Sequence, residues 1–396
     1  MQTVPQGVYE PAWMEIDLDA FEFNLDAIKR HVGDKVKFMP VLKGDAYGAG
    51  AEVCAEAAVG AGVDALAVVR VREAVALRSS GVKLPILNLG FCTDLEITDL
   101  LKYNISQSVH RLDLVAKLNA VALASGKIIG VHLNVDTGMS RSGLPFRDVN
   151  DFFELIKGLK GLKLEGVFTH FHSADGEDKS FAYGQIAEFE TVRAAALNAG
   201  FSQLLFHTAN TAATIDIPES HFDMVRPGIG IYGLYASRHI SRKLNLRQIS
   251  SLRALVSNVQ TLNAGCGVSY GHTYVTDRRT KIATVQAGYV DGVNRRLSNV
   301  GYALIHGQVC PIAGRVTMDQ TMLELPDSTD VKVGDVATFY GSDGSETILM
   351  DDHLDIVGIA HEIQTGIAVR VPRVYLRGGE VVRIMRYSAF STSKEG

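Results

Sequence analysis

The chemistry in this chain starts at Lys43. The residue follows the apolar run Phe38-Met39-Pro40-Val41-Leu42 and precedes Gly44-Asp45-Ala46-Tyr47-Gly48. An ammonium at the end of a buried strand loses solvation, which lowers its pKa and frees the neutral amine. Such an amine suits a Schiff base with an aldehyde cofactor. It equally suits a side chain that simply runs past the strand end to water. Three more polar groups sit at the ends of short apolar runs, Asn134-Val-Asp136-Thr-Gly-Met-Ser-Arg141, Thr169-His170-Phe171-His172 and His207-Thr-Ala-Asn210-Thr211, and a further run carries Arg226-Pro-Gly228-Ile229-Gly230. A lone strand-end His or Arg is usually structural. Their recurrence at the same end of several strands points to a shared site.

The elements that must position them follow a rhythm. Apolar runs at 38–42, 65–69, 84–89, 105–109, 128–135, 166–171, 204–207 and 223–232 alternate with Ala-, Leu- and charge-rich helical segments. Eight such units over about 200 residues predict an α/β fold with parallel strands closed into a (β/α)8 TIM-type barrel. No G-x-G-x-x-G follows a strand, which disfavours an open dinucleotide-binding sheet. Asp19 is expected to cap a helix over 20–31. Beyond Ala236, Val-, Ile- and Thr-rich runs alternate with the turn signals Asn263-Ala-Gly265, Ser342-Asp-Gly344 and Arg377-Gly-Gly379. They predict a C-terminal antiparallel β domain. The expected division is a barrel over 14–236 and a β domain over 237–396, joined by residues 1–13.

With 396 residues, the chain exceeds a usual single core. A net charge of −5 and the lack of a Lys/Arg block argue against a nucleic-acid partner. No apolar run reaches membrane-helix length, so no membrane partner is expected. The N-terminus lacks a basic and apolar signal region, which predicts the cytoplasm; the periplasm is the alternative if a signal was removed. Cys54, Cys92, Cys266 and Cys310 form no C-x-x-C pair, so no zinc site is expected. Reduced thiols are the expectation, with a Cys54–Cys92 disulfide as the alternative for an exported form.

Taken together, Lys43 in Lys-Gly-Asp-Ala-Tyr-Gly, Arg141 after Asp-Thr-Gly-Met and Arg226 in Arg-Pro-Gly-Ile-Gly-Ile-Tyr-Gly resemble the alanine racemase family. Gly267-Val-Ser-Tyr270-Gly, Ala287-Gly-Tyr289-Val-Asp-Gly, Gly314-Arg-Val-Thr-Met318-Asp319-Gln and Arg370-Val-Pro-Arg373 agree. The resemblance spans nearly the whole chain. It implies bound pyridoxal 5′-phosphate, a homodimer with shared active sites, and interconversion of L- and D-amino acids. Lys43 and, from the second copy, Tyr270 are then the two acid/base groups on opposite faces of Cα. His170, and through it Arg226, would assist Tyr270. Arg226 would face the pyridine nitrogen. Tyr47, Thr211 and the N–H groups of Gly228 and Ile229 would hold the phosphate. Arg141 and the N–H of Met318 would hold the substrate carboxylate, and Tyr289 would narrow the entrance. His207 and Asn210 would support the cofactor or serve the fold alone.

The sequence departs from the family pattern at four positions. Asn134 replaces a lysine that is often modified to a carbamate, so Arg141 lacks an anionic partner there; an anion such as chloride near Asn134 and Arg141 is a candidate replacement. Val369 stands where tyrosine is usual, Thr317 where cysteine is common, and Ala49 where histidine is common. Asn134 and Val369 resemble the broad-specificity branch, so alanine is the expected substrate with serine or larger residues beside it. The alternatives are a pyridoxal-phosphate-dependent decarboxylase or lyase on the same barrel, or a non-catalytic pyridoxal-phosphate-binding protein. The β domain argues against the second.

Overall fold

The computed structural model describes residues 2–386. The chain divides into two compact units, one of residues 22–246 and the other of the N-terminal residues through Phe21 together with Arg247 onward.

The 22–246 unit is a ring of parallel strands wrapped in helices. Leu66–Val68, Ile86–Asn88, Ser106–Val109, Ile129–Asp136, Leu162–Phe168 and Leu205–His207 pair in sequence order, all parallel. Lys37–Phe38 pairs in parallel with Met224–Val225. Two seams close the ring. At one, Leu42 N–H donates to Ala67 O at 2.8 Å and Ala67 N–H to Pro40 O at 3.0 Å. At the other, Asp223 N–H donates to Phe206 O and Arg226 N–H to Ala209 O, both at 2.9 Å. The eight predicted runs are thus the eight staves. Met39, Val41, Ala67, Leu87 and Met224 pack inside the ring.

Helical spacing explains the outer layer. Leu112–Ala124 buries Leu114, Val115, Leu118 and Ala122, and Val149–Lys157 buries Val149, Phe152, Phe153 and Ile156. These i, i+3, i+4 faces lie against the strands. The first helix, Leu18–Val32, starts two residues before the predicted start. Its cap is Asp17, whose Oδ1 accepts the Ala20 N–H at 2.9 Å. Asp19 is already helical and accepts the Gly378 N–H instead.

In the other unit, Ser250–Leu262 is the central strand. It pairs antiparallel with Ala12–Asp17, Val336–Asp343 and Thr280–Val285. Ala12–Asp17 also pairs with Arg373–Arg377, and that pair is parallel, so the sheet is mostly rather than wholly antiparallel. Glu15 and Arg253 form a buried ion pair at 2.7 Å across the first pairing, completed by Trp13 Nε1–H and Thr338 Oγ1. The predicted turns at Gly265, Gly344 and Gly378–Gly379 all take positive φ.

Cys54, Cys92, Cys266 and Cys310 are free thiols, which corrects the alternative of a Cys54–Cys92 disulfide. Among the described residues no helix is long and apolar enough to cross a membrane, and no cluster of three His, Cys, Asp or Glu side chains is placed to hold a metal.

Candidate active site

Lys43 begins a left-handed turn. Gly44, Asp45, Ala46 and Tyr47 have φ of 64°, 55°, 54° and 55°. Left-handed backbone costs a non-glycine residue about 1–2 kcal/mol, and three in a row are rare. Hydrogen bonds hold the turn: Ala51 N–H to Asp45 Oδ1 at 2.7 Å, Gly50 N–H to Asp45 O at 2.9 Å, and Gly44 N–H to Glu73 Oε1 at 2.6 Å. The turn brings the Lys43 amine within 5.8 Å of the Tyr47 ring centroid, and Tyr47 packs on Tyr232 at 4.8 Å. Lys43 is half-buried, and its pKa is lowered first by burial and then by Arg141, with Glu73 opposing.

Arg226 is the buried hub, 3% exposed. Nη1 donates to His207 Nδ1 at 2.8 Å and to the His207 carbonyl at 2.7 Å. Nη2 donates to the Thr169 and Thr208 carbonyls at 2.7 and 3.1 Å and approaches His170 Nδ1 at 3.5 Å. Among the described residues no carboxylate pairs with it. Burial pulls its pKa down to about 9, which leaves it protonated at neutral pH. The His170 pKa falls to about 3, first from burial and then from Arg226, Arg141 and Lys43. Four basic side chains therefore converge on one space.

Arg141 is exposed and, among the described residues, pairs with no carboxylate. Its loop is set by Asp136 Oδ1, which accepts the N–H groups of Gly138 and Ser140 at 2.9 and 3.0 Å. Asn134 is buried and sends its amide N–H to Ser142 O and Oγ at 3.3 and 3.4 Å. Gln185, which carried no signal in the sequence, joins this loop to the His170 strand end. It donates to Thr137 Oγ1 and His170 O, both at 3.1 Å, and accepts the His172 N–H at 3.2 Å.

Thr211 and Gly228 meet. Thr211 Oγ1 accepts N–H groups from Gly228 and Gly230 at 3.0 and 3.2 Å. Ile229 opens the short turn Ile229–Tyr232. Asn210 caps the helix Thr211–Asp216 by accepting the Ala213 N–H at 3.0 Å, a structural task. A Cβ on Gly228 would stand 2.5 Å from the Tyr47 hydroxyl oxygen, so only glycine lets tyrosine and backbone meet here. One face of the barrel unit thus gathers Lys43, Tyr47, Arg141, His170, Thr211, Arg226, Gly228 and Ile229.

Tyr270, Met318 and Tyr289 belong to the other unit, where they are 73%, 53% and 42% exposed. Tyr270 tops a hairpin of Gly267–Val268 and Tyr274–Val275. Ser269 before it has φ 65° and is held by its Oγ–H on Arg315 O at 2.6 Å. Tyr289 N–H donates to Thr317 O at 3.0 Å and Val290 N–H to Met318 O at 3.1 Å. Arg370 clamps Asp291 at 2.6 Å and Asp319 at 2.7 Å, which keeps Val369, Tyr289 and Met318 on one rim.

Two family models match the chain: "Alanine racemase, N-terminal domain" over residues 16–236 and "Alanine racemase, C-terminal domain" over 249–375. The alanine racemase of Methanococcus maripaludis is 38% identical over 372 residues, covering 93% of this chain and 100% of that protein. The structure of alanine racemase from Clostridium difficile 630 superposes with a TM-score of 0.91 at 36% identity, covering 96% of this chain and 100% of that one. The Bartonella henselae alanine racemase, described with covalently bound pyridoxal phosphate, has a TM-score of 0.84 at 25% identity and covers 93% and 100%. The chain belongs to the alanine racemase family of isomerases.

Proposed function

We propose that this protein is a pyridoxal-phosphate-dependent amino-acid racemase that acts on alanine. The observation that carries the reading is the buried, carboxylate-free Arg226 converging with the depressed Lys43 amine on one face of the barrel. The donor set fits the cofactor. Lys43 is the amine for its aldehyde. Tyr47, Thr211 and the backbone at Gly228 and Ile229 form a cradle that a single Cβ would fill. Arg226 supplies a fixed donor for the ring nitrogen. Bound pyridoxal phosphate supplies the electron sink that makes the substrate Cα–H acidic.

The protein's own groups do the rest. The Lys43 amine is poised to take or return the Cα proton on one face. Tyr270, from a second copy of the chain, serves the other face; the exposure of Tyr270 and Met318 in the single chain supports a dimer with shared sites. A tyrosine ordinarily titrates near ~10 and needs help as a base. His170 Nδ1 lies 3.5 Å from Arg226 Nη2, which favours the tautomer with its proton on Nε2, a donor for a phenolate. Arg141 and the Met318 N–H hold the substrate carboxylate. Arg226 would face the ring nitrogen and keep its own proton, which would restrain the electron sink and disfavour transamination.

Asn134 brings no charge to Arg141, which supports chloride beside the pair and activity that rises with chloride concentration. The exposed Val369 supports a pocket that also admits serine or larger side chains. Four free thiols support a reducing compartment, the cytoplasm. The deciding test is incubation with L-Ala, L-Ser, L-Lys and L-Arg in deuterium oxide followed by chiral analysis. Formation of D-isomer with deuterium at Cα is expected for alanine; no D-isomer and no Cα exchange from any of the four sinks the reading.

A further inference from the structure

Glu73 lies on the helix Val71–Ser79, outside every motif that carries the family resemblance. Its carboxylate is fully used. Oε1 accepts the Gly44 N–H at 2.6 Å, and Oε2 accepts the N–H groups of Val69 and Arg70 at 3.0 and 3.1 Å. The last two bonds cap its own helix, as an acid in a first turn commonly does. The first is different, because it crosses 29 residues to the second residue of the left-handed turn. That turn is unfavourable by its own backbone torsions. It therefore depends on outside contacts, and a hydrogen bond from a backbone N–H to a carboxylate is among the stronger ones available.

We propose that Glu73 is a positioning residue of the Lys43 site: its carboxylate fastens the left-handed turn that presents the amine and sets a negative charge beside it. The proposal rests on Lys43 being the reactive amine. The groups facing that amine are Arg141 after the strand Ile129–Asp136, His170 at the end of Leu162–Phe168, Tyr47 on its own turn, and Glu73. Arg141 is cationic, His170 is neutral and the Tyr47 ring offers only its π face, so Glu73 is the one carboxylate among these four. One side chain then performs two tasks. It holds the backbone that aims Lys43, and it limits how far burial and Arg141 depress the amine. An amine depressed without limit would be a weak base toward Cα.

The test uses the 396-residue chain free of pyridoxal phosphate, so that the Lys43 amine is unmodified, and two variants. Glu73→Gln keeps the shape and removes the charge. Glu73→Asp keeps the charge and withdraws it from Gly44. Two quantities are read: the pH midpoint for acetylation of Lys43 by acetic anhydride, and amide exchange across 42–47 with the helix 112–124 as internal reference. Glu73→Gln is expected to move the Lys43 midpoint downward, because the lost anion no longer favours the ammonium. Glu73→Asp is expected to leave the midpoint nearer wild type while exchange across 42–47 rises about tenfold or more and the reference helix is unchanged. Midpoints and exchange at wild-type values in both variants overturn the proposal. So does exchange that rises equally in the reference helix with an unmoved midpoint, which makes Glu73 a helix cap alone. Neither readout needs turnover. A failed racemase assay beside a shifted midpoint condemns the activity and not Glu73, and racemisation beside an unmoved midpoint does the reverse.

Discussion

Arg226 Nη1 lies 2.8 Å from His207 Nδ1, and because a guanidinium can only donate, His207 Nδ1 must be the acceptor. The other nitrogen of a neutral His207 then carries the proton. Nε2 lies 2.9 Å from His132 Nδ1, which therefore also accepts. The polarity of the chain Arg226, His207, His132 is fixed by its first member. Neither histidine can be charged without setting a proton against a neighbour.

This arrangement predicts how stability depends on pH. Burial, then Arg226, pulls the His132 pKa from 6.5 to about 3, and His207 lies well below its ordinary value for the same reasons. In the unfolded chain both titrate near ~6.5 and bind protons that the folded chain refuses. Their contribution is complete above ~6.5. It is lost progressively as pH falls from there toward the folded value. The urea midpoint should be level above neutrality and drop on acidification, with a shallower drop in His132→Gln. Parallel profiles for the two proteins would contradict the assignment.

Gly228→Ala isolates the cradle. The new Cβ would stand 2.5 Å from the Tyr47 hydroxyl oxygen, and the tyrosine must move. Deprived of one charge-assisted hydrogen bond, pyridoxal phosphate should bind about tenfold more weakly or worse. An absorbance titration measures this directly, and wild-type affinity would remove Tyr47 and Gly228 from the cradle.

The barrel was readable because its signal is repeated: eight apolar runs at regular spacing leave few alternatives. Lys43 and Arg141 were readable because each follows such a run, and Arg226 because it lies in one; all three sit in family motifs. Other features were not. The left-handed turn at 44–47 contains Asp45 and Ala46, neither of which announces positive φ in a sequence. Gln185 sits in the second turn of the helix Ser180–Asn198 and resembles a surface glutamine; only folding buries it to 3% exposure between two loops. Asp17 and Asp19 compete for one cap, and which of them wins is set by where the strand Ala12–Asp17 ends.

Gln185→Leu should therefore cost more than its sequence position suggests. The change leaves the His170 carbonyl and the His172 N–H without this partner, while Thr137 Oγ1 keeps only Thr169 Oγ1 at 2.8 Å. A buried polar group without a partner costs about 1–3 kcal/mol, so a stability loss of roughly 2–4 kcal/mol is expected from urea unfolding. Because the same bonds set the Arg141 loop, KM should rise alongside. Lost stability with unchanged KM would confine Gln185 to the fold.

Tyr270→Phe separates the two faces of Cα. The hydroxyl is removed from an exposed hairpin tip, so stability should be unaffected within about 0.5 kcal/mol. Racemisation should fall by at least about a hundredfold, the usual range for a lost acid/base group. One enantiomer should still exchange its Cα hydrogen with solvent through Lys43, and the other should not. Equal residual exchange in both enantiomers would refute a two-base assignment.

Val369→Tyr tests what shapes the substrate range. Val369 is 57% exposed and sits next to Arg370, whose clamp on Asp291 and Asp319 holds the rim that also carries Tyr289 and Met318. A tyrosine there adds a ring and a hydroxyl to that rim without disturbing the clamp. Larger substrates should suffer first: kcat/KM for serine relative to alanine should fall by about tenfold, within the 1–3 kcal/mol that a side-chain-sized change in a pocket commands. Adding the ring should leave alanine turnover within about twofold, since exposed substitutions seldom shift stability by more than ~0.5 kcal/mol. An unchanged serine-to-alanine ratio would move the determinant of substrate range away from this rim and toward Asn134.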